Sequence, residues 1–428
     1  LDGQDIAFID AVKAEGTDGN WAHHITLEHL TVINHGEGDL IVGINTKCPA
    51  WNWQIRYCTF LEPGLGMYLG APDGTAAFVN GVIEYNLIVH PRRYGIQVKH
   101  QFEGSRDVAG MPESGMTTIR YNVISKAENA DLDDPRPNLL IGGFPEAGNG
   151  SDDWYEIYGN LLWQNPNEGL FQGTGNFAFY NNVLVNHHPA GWGIFSFPHN
   201  GQPPRDISIL NNTILSQAQG IRLSGQDQEY EQLITGNAIF SDQPVWDLAA
   251  GMVTLNVLAP FEEAETYVQA ADDDLALIDL TPTKAMQGAQ LMFDTAPLTE
   301  AHLDFDYHER DWTFRGAYSR IGPPAWQPAL EIRPPSDSLA TFVVSQFDAT
   351  SLEIFPNPVR PGGQLWVRAP EGQEGCLGLF HMNGQHLDHF AGVVGTTTIT
   401  VPMVDVGVYP LVWTDQRRYH AAVLIIQH

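Results

Sequence analysis

The stretch VIEYNLIV at residues 82–89 decides the fold, because its pattern returns along the chain. Each copy has an apolar residue, two less regular positions, usually an Asn, and then two or three apolar residues. The clearest copies are VIEYNLIV at 82–89, TIRYNVIS at 118–125, EIYGNLLW at 156–163, AFYNNVLV at 178–185, SILNNTIL at 208–215 and LITGNAIF at 233–240. Two earlier copies, at 26–33 and 54–61, have Leu30 and Cys58 at the Asn position. Such recurrence indicates stacked repeat units.

The interval between copies is irregular, from 22 residues between Asn160 and Asn182 to 38 residues between Asn122 and Asn160. Helical repeats keep a nearly fixed period, whereas the coils of a β-helix stack their strands and vary their loops. A second strand-like phrase follows each copy, such as GIQVKHQ at 95–101. The sequence therefore predicts an all-β chain, with a right-handed parallel β-helix over 1–333.

Stacked coils place equivalent residues about 4.8 Å apart. We expect the repeated asparagines to form an internal hydrogen-bonded ladder, made of Asn86, Asn122, Asn160, Asn182, Asn212 and Asn237. Two positions earlier, Glu28, Arg56, Glu84 and Arg120 alternate in sign and should point outward. Opposite charges on adjacent strands attract, so Arg120 is expected to belong to this charge ladder rather than to a catalytic site.

The composition of the chain excludes some classes of binding partner. The chain has 428 residues and a formal net charge of −30, with 51 acidic and 21 basic side chains. Such charge disfavours nucleic acid and anionic membranes as partners, and no apolar run approaches the roughly 20 residues of a membrane span.

The chain opens on the strand-like LDGQDIAF without a signal peptide, which suggests a mature or trimmed start. Cys48, Cys58 and Cys376 have no metal-ligand spacing and are expected to be free thiols.

Two segments follow the coils. The phrases DLTPTKAMQGA and LDFDYHERDWTFRGAYSRIG, beyond about residue 258, look like the closing segment of many secreted bacterial β-helix proteins, where a final Arg-Gly-Ala-Tyr strand seals the stack. A linker is expected at 334–350, since it opens with PPSDS.

Residues 351–428 contain short strands with FPNP at 355–358, Asn383-Gly384 at a strand end and GVYPLVW at 407–413. These features resemble the C-terminal sorting domain of the type IX secretion system of Bacteroidetes-like bacteria, although the chain ends in QH rather than basic residues. The resemblance implies a small immunoglobulin-like β-sandwich, recognition by the secretion machinery, and a secreted or cell-surface location. An ordinary immunoglobulin-like accessory domain is the alternative.

Three long insertions, at 101–116, 125–138 and 144–154, flank the outward face of two neighbouring strands. Long loops that converge on a rigid scaffold usually build a functional cleft. Lys99 is expected to point outward there, with the equivalent positions of other coils taken by Gly70, Gly142 and Gly173. We expect these glycines to leave open space around the amine.

This basic spot on an acidic protein favours a negatively charged sugar. For β-elimination of a uronate, one group neutralises the carboxylate and a base removes the C5 proton. The predicted catalytic residues are Lys99, Arg92, Arg93 and His100. The predicted substrate-binding residues are Tyr68, Gln97, Gln101, Phe171, Gln172, Phe195 and His199. The aromatic members of this face either stack on sugar rings or pack beneath a loop.

The fold is shared by pectate-lyase-like polysaccharide lyases, pectin hydrolases, tailspikes and uncharacterised surface proteins, so it does not choose an activity. The strands lack the outward Asp clusters of calcium-dependent pectate lyases and of pectin hydrolases. The favoured function is a secreted polysaccharide lyase acting on an acidic glycan, with no cofactor, or with calcium as the alternative. Two other functions stay open: a non-catalytic glycan-binding, adhesive or structural protein, and a glycoside hydrolase using loop carboxylates, namely Glu128, Asp131, Asp133, Asp134, Glu146, Asp152 and Asp153.

Overall fold

The computed structural model describes residues 1–6, 8–16, 19, 21–36, 41–225, 229–246, 253–292, 298–336, 352–368, 375–380, 386–393, 395–404, 407–414 and 419–426. The chain divides into two compact units, Leu1–Pro334 and Pro335–His428. Most of the predicted linker at 334–350 lies outside the described residues.

The first unit is a parallel β-helix, which confirms the predicted fold class. Its described strands form three parallel sheets of nine strands each. Sheet A contains Val12–Ala14, Val42–Thr46, Leu65–Leu69, Ile96–Val98, Leu139–Ile141, Gly169–Gly173, Trp192–Ser196, Gln219–Leu223 and Gln243–Trp246. Sheet B contains Thr26–Glu28, Gln54–Arg56, Val82–Glu84, Met116–Arg120, Trp154–Tyr158, Gly175–Tyr180, Pro204–Leu210, Gln232–Thr235 and Val253–Thr254. Sheet C contains Thr31–Val32, Thr59–Leu61, Leu87–Val89, Val123–Ser125, Leu161–Trp163, Val183–Asn186, Thr213–Ser216, Ala238–Phe240 and Val257–Ala259.

Each coil contributes one strand to every sheet, and its inward side chains stack on those of the next coil. In sheet B the inward column is apolar and fully buried, and consists of Ile55, Ile83, Ile119, Ile157, Phe179, Ile209 and Ile234. Burial of one such side chain stabilises a fold by about 1.5–3 kcal/mol. A short extra sheet, formed by Ala22–His23, Ala50–Trp51 and Phe78–Val79, lies between sheets A and B in the early coils.

The asparagine ladder is confirmed at the corner between sheets B and C. The Asn86 Nδ2 atom donates to Asn122 Oδ1 at 2.9 Å, and the Asn86 backbone NH donates to the same oxygen at 3.0 Å. The same pair of bonds repeats at every rung up to Asn237. A further rung, Asn256, continues the ladder past the last predicted member. The ladder satisfies buried backbone groups that the corner would otherwise leave unpaired.

The charge ladder is also confirmed. Arg120 Nε lies 2.7 Å from Glu84 Oε2, and Arg56 contacts both Glu28 and Glu84. Arg120 additionally approaches Glu300 at 3.7 Å. The Arg120 guanidinium is therefore engaged within sheet B, as expected for a structural residue.

The closing segment differs from the prediction. After Val257–Ala259 come the 3₁₀ turn Phe261–Glu263, the helix Ala264–Tyr267, the strands Val268–Ala270 and Asp279–Pro282, and the 3₁₀ turn Lys284–Met286. Gly316 and Ala317 form no strand; their backbone NH groups donate to Gly236 O at 2.8 Å and to Thr213 Oγ1 at 2.9 Å. This part of the segment lies along the side of the coils, because it satisfies polar groups at the corners that stacking leaves exposed.

The second unit has two antiparallel sheets that share one core, in agreement with a β-sandwich. One contains Glu353–Phe355, Gln364–Arg368 and Thr396–Thr400; the other contains Gly375–Phe380, His386–Val393, Gly407–Thr414 and Tyr419–Ile426. Buried residues of both sheets, including Leu365, Leu379 and Trp413, pack together. No helix within the described ranges is long and apolar enough to cross a membrane. Cys48, Cys58 and Cys376 are free thiols.

Candidate functional site on sheet A

The outward face of sheet A is a column of side chains in register across the coils. It consists of Lys13, Asn45, Tyr68, Gln97, Leu140, Gln172, Phe195, Arg222 and Trp246. The insertion at 125–138 enters this sheet from one edge, and those at 101–116 and 144–154 follow it at the other edge. The long loops therefore border the face on both sides.

Phe171, a predicted binding residue, does not belong to this face. Phe171 pairs with Leu139 rather than with Leu140, so its ring points inward. It is fully buried and packs on Phe179 with ring centroids 4.4 Å apart. The strand is shifted by one residue from the predicted alignment, and a one-residue shift moves every side chain to the other face. Gly173 pairs with Ile141 for the same reason and is not equivalent to Lys99.

Lys99 lies beside a second lysine that the sequence analysis missed. The Lys99 Nζ atom lies 5.7 Å from the centre of the Tyr68 ring, and the Lys47 Nζ atom lies 4.3 Å from it. Gly70 stands between the two lysines in the stack, and a Cβ there would approach the Lys99 Cβ to 3.1 Å. Its φ of +99° also favours glycine. Gly70 therefore avoids a close contact with the Lys99 side chain.

Gly142 does not have the expected role of leaving open space around the Lys99 amine. A Cβ at this position would lie 2.1 Å from the His100 backbone nitrogen. The glycine therefore allows close approach of the neighbouring backbone and does not open space around the Lys99 amine.

Burial shifts the pKa values of the two lysines and of Tyr68. Burial, and secondly the Lys47 charge, lower the pKa of Lys99, and burial lowers the pKa of Lys47. Burial raises the pKa of Tyr68 to about 12, so its hydroxyl stays protonated at neutral pH. Within the described ranges, neither lysine has a carboxylate within 4.0 Å. The cluster therefore presents two amines, each of which attracts an anion when protonated, beside a phenol that can donate a proton.

A loop from a later coil contacts the two residues that follow Lys99 in the chain. Asn200 Nδ2 lies 3.0 Å from His100 Nδ1, and Gln202 Nε2 donates to Gln101 O at 2.7 Å. His100 is buried, and burial followed by the Lys99 charge lowers its pKa to about 4. His199 lies on the same loop, and partial burial of its ring followed by the Lys99 charge lowers its pKa. His100 is thus a neutral residue beside the lysines.

Gln101 is not accessible to a ligand, contrary to the prediction. Its side chain is 1 % exposed, and its Oε1 accepts two hydrogen bonds of 2.9 Å from Arg106. Arg106 also pairs with the buried Asp153, whose Oδ1 accepts the Gly115 backbone NH at 2.7 Å. This buried network joins the insertions at 101–116 and 144–154 to the coils, and it removes Asp153 from the accessible carboxylates.

Arg92 and Arg93 are placed away from the lysines. Arg93 Nη2 lies 2.7 Å from Asp134 Oδ2, and Arg93 Nε lies 3.7 Å from Asp131 Oδ2. These carboxylates already neutralise the Arg93 charge. Arg92 lines a separate recess of about 400 Å³, together with Glu62, Asn129 and other residues at the corner between sheets C and A.

Two glutamines on the face have different surroundings. Gln97 is 4 % exposed, and its Oε1 has no hydrogen-bond partner in the described structure. Gln172 is half-buried and donates to Glu168 Oε1 at 2.9 Å. Burial raises the pKa of Glu168. Glu168 was not among the residues predicted from the sequence.

Phe195 is half-buried on the same face, and its ring stacks on Phe197 at 4.4 Å. The Arg222 guanidinium lies 4.8 Å from the Phe195 ring and 4.2 Å from that of Trp246. The Phe195 ring therefore packs on neighbouring side chains and keeps part of its surface exposed on the outward face.

Lys47 was detectable from the sequence, since it follows its strand as Lys99 follows Val98. Asn200 and Glu168 had no such signal, because loops place them. Within the described part of the chain, no group of three or more His, Cys, Asp or Glu side chains is arranged to hold a metal ion. Compared with known proteins, the chain matches no protein-family model, and no curated protein is significantly similar to it.

Proposed function

We propose that the first unit binds an acidic polysaccharide across the outward face of sheet A and cleaves it by β-elimination. The observation that supports this is the pair of lysines on either side of Tyr68, without a carboxylate partner among the described residues, in a chain of net charge −30. Partly buried cations without nearby counter-ions are disfavoured, so a bound carboxylate would offset part of that cost.

In the proposed reaction the uronate carboxylate lies against Lys47, since Arg93 is already paired with Asp134. Neutral Lys99 takes the C5 proton, and the electron pair of the broken C5–H bond forms the C4–C5 double bond as the C4–O bond breaks. Tyr68 donates its proton to the leaving oxygen. The lowered pKa of Lys99 increases the fraction that is neutral, which a general base requires.

Replacement of Lys47 tests the carboxylate role. We expect Lys47→Met to weaken binding of an acidic oligosaccharide by about tenfold or more, because a charge-assisted contact contributes about 1.5–3 kcal/mol. Lys13→Met is the matched control: Lys13 lies on the same face but is exposed and paired with Glu15 at 2.7 Å. Titration calorimetry of both variants measures the difference. Equal losses in the two variants would mean that only overall charge matters.

Two alternatives predict different products. A glycan-binding protein without activity would bind acidic oligosaccharides and release no product. A glycoside hydrolase would release reducing ends without the ultraviolet absorbance of unsaturated sugars; Glu168 supports it, since a carboxyl group with a raised pKa suits a general acid. Ultraviolet absorbance and reducing-end assays on the same digest separate the three functions.

We propose that the second unit directs export through the secretion machinery, as its FPNP, Asn383-Gly384 and GVYPLVW features suggest. Deletion of 351–428 should abolish export to the cell surface or medium in the native host. The purified truncated chain should keep its β-strand circular dichroism, because each coil contacts chiefly its neighbours. Normal export of the truncated chain would refute the sorting role. If the truncated chain lost its folded spectrum, a failure of export would reflect misfolding and would not support the sorting role.

A further inference from the structure

A second cavity lies on the outer face of sheet B and involves none of the sheet A residues. Its volume is about 310 Å³. Its floor is a column across four coils in register, made of Glu156, Ala178, Ser208 and Leu233. The small side chains of Ala178 and Ser208 leave a hollow between the two larger ones. Trp154 and, from the closing segment, Leu298 also line the cavity.

Glu156 places a carboxylate in this largely apolar setting. The side chain is 2 % exposed. Its Oε1 accepts the Tyr180 hydroxyl at 2.7 Å and the Thr299 backbone NH at 2.6 Å. Its Oε2 is buried and has no hydrogen-bond partner among the described residues. An unpaired buried carboxylate oxygen costs folding free energy, so a donor at this position would be favourable.

We propose that this cavity binds a small organic cation, with one protonated amine and an apolar body. The ammonium group pairs with the Glu156 carboxylate, of which Oε2 lacks a donor, and the apolar body packs against Leu210, Leu233 and Leu298. Charge-assisted hydrogen bonds are about twice as strong as neutral ones, which favours an amine over an alcohol of the same shape. The volume is at the lower end of the range of small-molecule sites. This site is independent of the proposed glycan cleavage.

The test uses the full chain and two probes of matched shape, 2-phenylethylamine and the neutral 2-phenylethanol. Calorimetry or ligand-observed NMR should show that the wild-type protein binds the amine about tenfold more tightly than the alcohol. Glu156→Gln should abolish that preference, since the amide presents no negative charge. Glu146→Gln removes an exposed carboxylate and should leave the preference unchanged.

Ala178→Leu fills the cavity without removing the carboxylate and should abolish binding of both probes. If the Glu156→Gln variant does not fold, Ala178→Leu alone tests the proposal. The proposal is overturned if the wild-type protein binds neither probe or binds both equally. It is also overturned if Ala178→Leu binds the amine as the wild-type protein does.

Discussion

Lys99→Ala should reduce turnover of an acidic polysaccharide by roughly 10²–10⁴-fold, the range typical for loss of one general base. The structural reason is its position: the Lys99 amine is half-buried 5.7 Å from the Tyr68 ring centre, with Lys47 on the other side of Gly70. Product formation followed by ultraviolet absorbance of unsaturated ends gives the rate. The melting temperature should stay close to that of the wild-type protein, because Lys99 makes no ion pair within the described ranges.

The pH dependence provides a second measurement. Lys99 acts as a base only when neutral, and burial together with Lys47 lowers its pKa. Turnover should therefore rise as pH increases through the pKa of Lys99, and it should fall again at higher pH where Lys47 loses the charge that holds the carboxylate. Lys47→Met removes a neighbouring positive charge, so the pKa of Lys99 should rise and the ascending limb should move to higher pH. A structural role for Lys99 would not produce such a shift.

Activity that survives Lys99→Ala at a near wild-type rate would contradict the assignment. Glu168 would then be the next residue to replace, since its pKa is raised and it borders the same face. Among the loop carboxylates, Glu146 and Asp152 stay exposed, whereas Asp153 is held by Arg106.

Asn160→Leu should lower the free energy of unfolding by about 3 kcal/mol or more, since several buried groups would lose partners at once. Asn160 is fully buried, and its Oδ1 accepts both the backbone NH and the Nδ2 of Asn122. Its Nδ2 donates to Ile119 O at 2.9 Å and to Asn182 Oδ1 at 2.9 Å. Leucine replaces none of these bonds. Urea denaturation followed by circular dichroism measures the change.

Asn149→Leu is the control for this substitution, because Asn149 is exposed on a loop. Asn256→Leu should have a smaller effect than Asn160→Leu, since Asn256 is only partly buried and is the last described rung. Equal unfolding free energies for Asn160→Leu and Asn149→Leu would show that the ladder does not stabilise the stack.

The sequence by itself determined the coils and their ladders. The Asn and charge ladders were predictable because the contacts between coils join equivalent positions of a repeated phrase, as Asn122 and Asn160 do. It also identified Lys99 and the three insertions that border its strand.

Only the tertiary structure decided the rest of the site. Phe171 points inward because of a one-residue shift, and an apolar ring is more stable in the core than on the outward face. The partners of Arg93 and His100 come from loops, and Asn200 reaches His100 across 100 residues of sequence. Such contacts do not join equivalent positions of the repeat, so the repeat does not predict them. The position of each loop is set by its packing against the stacked coils. The cavity over Glu156 likewise needs the closing segment, in which Leu298 lines the cavity and Thr299 donates to Glu156, 143 residues earlier in the chain.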